Sequence, residues 1–264
     1  MIVTTGEYTS PELKERARKM AKLFGWHYAE RRNQTLPRMQ RRYGDDEFLV
    51  YLNDCVRYLK LGSTELTYHP SMAYVRAKRI LSGDADGMIT ASGIQPGDEV
   101  LDCTAGLAGD ALVFAVAAGP NGRVTALESE PSLFALVHEG LQLYESGVEE
   151  VTQAMRRIQM KQADHLSMLR SLPSRSVDVV YFDPMFRSPV TSSASIDPLR
   201  TMANHEALTH EAIKEACRVA RKRVVMKEVK NSEEFARLGF TRVLPSGAKL
   251  AYGVIDIAGG NDKE

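Results

Sequence analysis

From Gln95-Pro96-Gly97 onward, short apolar runs alternate with segments whose apolar residues recur at helical spacing. Residues 100–102, 122–128, 158–163, 177–182 and 223–228 read as strands. Residues 110–118, 131–145, a short segment through Leu172, and 205–220 read as helices. Such alternation predicts a mostly parallel sheet with helices on both faces. Residues 241–244 and 249–257 flank Pro245-Ser246-Gly247 with no room for a long helix between them. They predict a β-hairpin that brings an antiparallel strand into the sheet.

The first 68 residues follow a different rhythm. Residues 2–5 read as a strand, and Ser10-Pro11-Glu12 carries a helix-start signal, an N-cap candidate followed by proline. The helix through Phe24 puts Leu13, Ala17, Met20, Ala21 and Phe24 on one face. Residues 48–52 and 56–61 read as two strands joined at Asn53-Asp54, and a helix around 73–81 follows Tyr68-His69-Pro70. The expected organisation is a small α+β module over residues 1–68 and an α/β domain over 69–264.

Composition adds an asymmetry. The 264 residues carry a formal charge of zero, yet residues 1–80 hold 15 Lys+Arg against 9 Asp+Glu, and the remainder holds 19 against 25. A basic segment beside an acidic one suits a protein that meets a polyanion with its first part. Arg31, Arg32, Arg38, Arg41 and Arg42 lie in one short polar stretch, and arginine suits bidentate phosphate contact and stacking on bases. RNA is the expected partner of this module. The three cysteines and six histidines are scattered, which predicts neither a disulfide framework nor a metal site. The absence of a long apolar run and of a signal-peptide pattern predicts a cytoplasmic protein.

The candidate chemistry lies at the strand ends. The first strand of the α/β segment ends at Asp102, the second at Glu128-Ser129, the third at Asp164-His165 and the fourth at Asp183-Pro184. In sheets of this kind ligands sit outside the carboxyl ends of the strands. Any one of these carboxylates reads first as a helix cap, but four together repel one another unless a ligand or donors offset them. Between Asp102 and Asp110 runs Cys103-Thr104-Ala105-Gly106-Leu107-Ala108-Gly109, a glycine turn entering a helix that Asp110 is expected to cap. A nucleoside bearing a cationic group fits the set. Glu128 accepts ribose hydroxyls, Asp164 accepts an adenine amino group with His165 beside it, and Asp102 and Asp110 hold an ammonium. A nicotinamide dinucleotide fits poorly, because carboxylates at 102 and 110 repel a pyrophosphate.

Val100-Leu101-Asp102-Cys103-Thr104-Ala105-Gly106 resembles the first motif of the class I S-adenosylmethionine-dependent methyltransferases, and Glu128 the acidic end of their second. The resemblance runs from about residue 70 to 257. It implies a Rossmann-like seven-stranded sheet and S-adenosylmethionine as cofactor. Asp-Cys-Thr-Ala-Gly-Leu-Ala-Gly-Asp, the segment 179–186 and Arg223-Val224-Val225-Met226-Lys227 are similar to the bacterial small-subunit ribosomal RNA guanine-N2 methyltransferases. By that likeness Gly109, Asp110, Glu128, Ser129, Asp164, His165 and Asp183 fall at cofactor-contact positions, with Asp102, Thr104, Ala105 and Gly106 in the turn. Gly109 stands where that branch tends to carry a basic side chain, and the segment after Phe186 lacks the branch's basic stretch.

Asp183-Pro184-Met185-Phe186 resembles the (Asp/Asn)-Pro-Pro-(Tyr/Phe) motif of enzymes that methylate planar amino groups. The lone pair of such an amine is delocalised into its ring. A carboxylate and the Pro184 carbonyl, accepting its two hydrogens, favour a more nucleophilic nitrogen, and Phe186 can stack on the base. Arg187 and the Ser/Thr/Pro-rich residues 187–203 that it opens read either as a substrate-facing lid or as a plain connection. The expected activity is N-methylation of an RNA base, with methylation of a small molecule or protein amide, or a non-catalytic cofactor-binding RNA module, as the alternatives.

Overall fold

Seven strands form the larger sheet, and the strand that opens the α/β segment lies in its interior. The computed structural model describes residues 1–63, 65–184, 207–240, 242–246 and 249–257. In chain order these hold β1 (Ile2–Thr5), α1 (Pro11–Phe24), β2 (His27–Tyr28), α2 (Leu36–Tyr43), β3 (Glu47–Tyr51), β4 (Val56–Lys60) and β5 (Leu66–Thr67). Then come α3 (Ser71–Leu81), α4 (Gly87–Ser92), β6 (Glu99–Asp102), α5 (Gly109–Ala118), β7 (Arg123–Glu128), α6 (Pro131–Leu143) and α7 (Glu149–Arg157). The rest are β8 (Gln159–Gln162), α8 (His165–Ser171), β9 (Val177–Phe182), α9 (His210–Val219), β10 (Ala220–Val229), α10 (Glu234–Arg237), β11 (Arg242–Ser246) and β12 (Leu250–Asp256).

The chain divides into two compact units. One takes Met1–His69 together with Glu130–Glu145; the other takes Pro70–Ser129 and the described residues from Ser146 onward. The second unit carries the seven-stranded sheet, in the order β11-β12-β10-β9-β6-β7-β8. β8, β7, β6, β9 and β10 run parallel, while β12 pairs antiparallel with both β10 and β11. The expected hairpin is present, and it places the last strand inside the sheet with β11 at the edge. The central strands are apolar through their middles, where helices cover both faces, and carry charged residues toward their ends. Leu101, Val180, Phe182, Val224 and Met226 are buried in one cluster with Ala212, Ala216 and Val219 of α9.

The first unit is a five-stranded sheet in the order β2-β1-β3-β4-β5, with β1 parallel to β2 and β3 and the rest antiparallel. Ser10 caps α1 by accepting from the Leu13 amide, and Gly25 ends it in the left-handed region at φ 66°. The short polar stretch that holds Arg38, Arg41 and Arg42, to which the sequence pattern assigns no element, contains α2. Leu36, Met39 and Tyr43, spaced three and four apart, pack on Phe48 and Val50, and this narrow apolar stripe is enough to dock one short helix. Within the same unit α6 packs closely, since a Cβ at Gly140 would stand 2.2 Å from that of Tyr68. α4 and α7 were not expected from the sequence. β10 starts at Ala220, earlier than read, and the helix expected over 205–220 runs His210–Val219, with the described residues 207–209 not helical and Thr209 capping it through the Ala212 amide.

Candidate active site

The carboxyl ends of β6, β7, β9 and β10 are brought level by their register. Asp102 pairs with Tyr181 and Ala126, and Tyr181 pairs with Val225, so Glu128, Asp183 and Lys227 each lie two residues beyond this row. Side chains two residues apart along a strand share a face. The turn after β6 is tied to its neighbours through the backbone. The Cys103 amide donates to the Tyr181 carbonyl and the Ala105 amide to the Leu127 carbonyl, each at 2.9 Å. Gly106 and Ala108 take the left-handed conformation at φ 50° and 56°, and α5 begins at Gly109. A Cβ at Gly106 would meet nothing within 4 Å, so the turn presents open backbone here.

Three predicted residues hold this turn in place. Asp102 Oδ1 accepts the Thr104 amide at 3.0 Å. Glu128 Oε2 accepts the Gly106 amide at 3.1 Å. Thr104 Oγ1 accepts the Asp183 amide at 2.6 Å. Ser129 lies beside Glu128, its carbonyl accepting Gln162 Nε2 at 2.9 Å. Asp164 caps α8 by accepting the Ser167 amide at 2.8 Å, and the His165 ring stands edge-on to Phe182 with centroids 6.0 Å apart.

Asp110 departs from its expected role. It does not cap α5, whose first turn has no side-chain cap. Its carboxylate is instead the hub of an internal network. Arg76 Nη1 donates to Oδ1 at 2.5 Å, while Tyr181 Oη and Lys227 Nζ donate to Oδ2 at 2.6 and 2.9 Å. Arg76 also grips Asp86 through Nε and Nη2, both at 2.9 Å, and Lys227 Nζ reaches Asp183 Oδ2 at 2.7 Å. Two cations already compensate Asp110, so it is poorly placed to hold a ligand's ammonium. Arg76 and Lys227 were not among the sequence candidates. A lysine directly after Val224-Val225-Met226 in a buried strand is the signal that could have found the second.

The electrostatics divide the carboxyl groups. Burial would raise Asp110, but the charges of Lys227 and Arg76 and the Tyr181 hydroxyl hold it below the usual carboxylate range. Asp183 is raised, by burial first and by the charge of Asp110, against the pull of Lys227. Asp102 is pushed up to about 8 by burial, against the Thr104 hydrogen bond and with the charges of Asp110 and Asp183 adding to the rise. Among the described residues no ion pair reaches Asp102. The cluster thus sets the carboxyl groups of Asp86, Asp102, Asp110 and Asp183 against Arg76 and Lys227, an excess of acceptors that a cationic ligand would complete.

Of the remaining candidates, Pro184 is half-buried at the end of the described β9 segment, and Phe186 and Arg187 lie outside the described residues, as does the segment 187–203. Arg31, Arg32, Arg41 and Arg42 belong to the first unit. Arg31 Nε donates to the Gln34 carbonyl at 3.2 Å, and Arg32 is exposed beside Glu30. Arg38, Arg41 and Arg42 form one exposed face of α2. Among the described residues no group of three or more His, Cys, Asp or Glu is arranged to hold a metal ion, and no helix is long and apolar enough to cross a membrane.

A parallel sheet closed by an inserted antiparallel strand, with acidic residues at the carboxyl ends of β6 and β7, defines the class of Rossmann-like methyltransferase folds. A family profile described as "Putative SAM-dependent methyltransferase" matches residues 56–239, and the chain belongs to this family. It is 39% identical to "Uncharacterized protein YpiP" of Bacillus subtilis (strain 168) over 254 residues, 96% of this chain and 98% of that one. It is 32% identical to "Ribosomal RNA small subunit methyltransferase J" of Dechloromonas aromatica (strain RCB) over 167 residues, 60% of this chain and 66% of that protein. A solved SAM-dependent methyltransferase from Neisseria gonorrhoeae shares the fold, with a TM-score of 0.65 at 18% identity, covering 99% of this chain and 98% of that one. The protein is a methyltransferase, and S-adenosylmethionine is its cofactor.

Proposed function

We propose that this methyltransferase transfers its methyl group to the exocyclic amino group of an RNA base, with ribosomal RNA as substrate and guanine N2 as the position that the motif resemblance implies. The observation that carries the reading is Asp183-Pro184 at the carboxyl end of β9, with the Asp183 amide anchored on Thr104 and its carboxylate on Lys227. In this reading Asp102 balances the methionine ammonium, Glu128 takes the ribose hydroxyls and Asp164 takes the adenine amino group beside His165. Ser129 and the turn from Thr104 to Gly109 border the cofactor. When bound, the cofactor would supply an electrophilic methyl group on a positively charged sulfur, with the C–S bonding pair left on sulfur as the base nitrogen takes the methyl. The Asp183 carboxylate and the Pro184 carbonyl accept the two N–H hydrogens, and Asp183 takes the proton that the methylated nitrogen sheds and passes it to water. This is catalysis by positioning and proton acceptance. Phe186 enters by its place in the motif, as the ring that stacks on the base. The likeness to a protein named for small-subunit ribosomal RNA supports the substrate class, as does the exposed arginine face of α2.

The test is transfer of labelled methyl from S-adenosylmethionine to unmodified ribosomal RNA, followed by mass spectrometry of the nucleosides. Label on a base amino nitrogen, lost in Asp183→Ala, is the expected result. Transfer unaffected by that substitution removes Asp183 from the role, and label found only on protein or small-molecule acceptors overturns the RNA reading.

A further inference from the structure

Two cations in the network around Asp110 each serve two carboxylates, Arg76 with Asp86 and Asp110, and Lys227 with Asp110 and Asp183. Lys227 Nζ stands 2.9 Å from Asp110 Oδ2 and 2.7 Å from Asp183 Oδ2, on a side chain left 17% exposed. The two carboxylates are not equivalent. Asp110 accepts from Arg76 and Tyr181 besides the shared Lys227. For Asp183 the carboxylate's ion pair among the described residues is Lys227.

We propose that Lys227 is a positioning residue whose single ammonium, shared between Asp110 and Asp183, aims the Asp183 carboxylate and keeps it charged. The inference rests on the reading of Asp183 as the acceptor of the substrate's N–H. Its chemical logic is that a planar amine needs an ionised acceptor. A protonated Asp183 would offer its own hydrogen to that nitrogen and compete for the lone pair that must attack. The surroundings favour the protonated form. Asp110 on α5 and Glu228 beside Lys227 on β10 bring negative charge toward Asp183, while Asp102 on β6, itself pushed up to about 8, adds charge only at higher pH. Tyr181 on its own strand donates to Asp110, and Tyr252 on β12 faces the same cluster. Arg76 on α3 is occupied by Asp86 and Asp110. Lys227 is therefore the cation that opposes this field at Asp183 itself.

The shared ammonium makes two substitutions act in opposite directions. In Lys227→Met the opposing charge is gone, and Asp183 should titrate at least about one pH unit higher than in the parent protein. In Asp110→Asn the ammonium serves Asp183 alone and a neighbouring negative charge is removed, so the same group should titrate lower. Lys227→Arg keeps the charge and should stay closer to the parent than Lys227→Met does. The measurement is a carbon-13 carboxyl NMR titration of the cofactor-free protein, with Asp183→Asn identifying the resonance, so no substrate is required. The acid limb of the methyl-transfer rate should move with the titration. An Asp183 resonance that keeps its midpoint in Lys227→Met overturns the proposal. If that variant fails to fold, Asp110→Asn decides, and a midpoint that does not fall overturns it equally. Opposite shifts in a protein that methylates no RNA would uphold the role of Lys227 and send the failure to the substrate reading instead.

Discussion

The amide of Asp183 donates to Oγ1 of Thr104 at 2.6 Å, joining the turn after β6 to the turn after β9. One turn borders the proposed cofactor site and the other carries the proposed acceptor, so a single hydroxyl relates the two. Thr104→Val keeps the shape and removes the acceptor, leaving a part-buried N–H unpaired at a cost of about 1–3 kcal/mol. The expected outcome is a lower Tm and a kcat that falls more than cofactor affinity, with Thr104→Ser close to the parent. Equal losses in kcat and cofactor affinity would show that Thr104 serves the cofactor turn alone.

Asp102 presents a trade between stability and binding. Its folded value, pushed up to about 8 by burial, stands above an ordinary carboxyl near 4. The folded protein therefore holds this proton more tightly than the unfolded chain, and stability falls as pH rises from about 4 to about 8. Asp102→Asn should raise the Tm of the cofactor-free protein more at pH 9 than at pH 5, while calorimetry shows weaker binding of S-adenosylmethionine. A Tm difference that does not change with pH would contradict the assignment.

Asp178 has the opposite sign. Arg221 donates to it from Nε and Nη2 at 3.0 and 2.9 Å, and the Glu99 amide adds a bond at 2.9 Å. These bonds, Arg221 foremost, hold the carboxyl at about 2. A depressed value contributes stability above pH 4 that is lost as pH falls toward 2. Asp178→Asn should cost about 2 kcal/mol in urea unfolding at pH 7, with the gap narrowing below pH 4.

The exposed face of α2 predicts a salt signature. Replacing Arg38, Arg41 and Arg42 by glutamine should weaken RNA binding and flatten the dependence of log K on log salt by roughly 2, with the affinity for S-adenosylmethionine unchanged. An unaltered salt slope would take this face out of the interface.

The sheet was legible because its strands are buried on both sides. The run Val177–Phe182 has no other reasonable reading, and the observed strand has those bounds. α2 was hidden because only Leu36, Met39 and Tyr43 mark its apolar face, among arginines that dominate the local composition. The strand-end carboxylates were visible as a group, but their division of labour was not. Asp110 looked like a cap or a ligand contact because a local reading cannot see Arg76, 34 residues away, or Lys227, 117 residues away. Partners that meet only when the strands and helices assemble leave no periodic trace in the sequence. The two glycines of the turn drew attention, whereas Ala108 shares the left-handed conformation with Gly106.

Among the described residues the first compact unit is assembled from two stretches, Met1–His69 and Glu130–Glu145, with part of the sheet-bearing unit encoded between them. During synthesis its five-stranded sheet leaves the ribosome long before α6, the helix whose Gly140 admits Tyr68. The unit cannot be completed until the chain has passed through β6, α5 and β7, so the order of translation interleaves the two halves. A fragment ending near residue 69 would lack α6 and leave β4 and Tyr68 uncovered, whereas a chain cut once after His69 would still hold both of the unit's described segments.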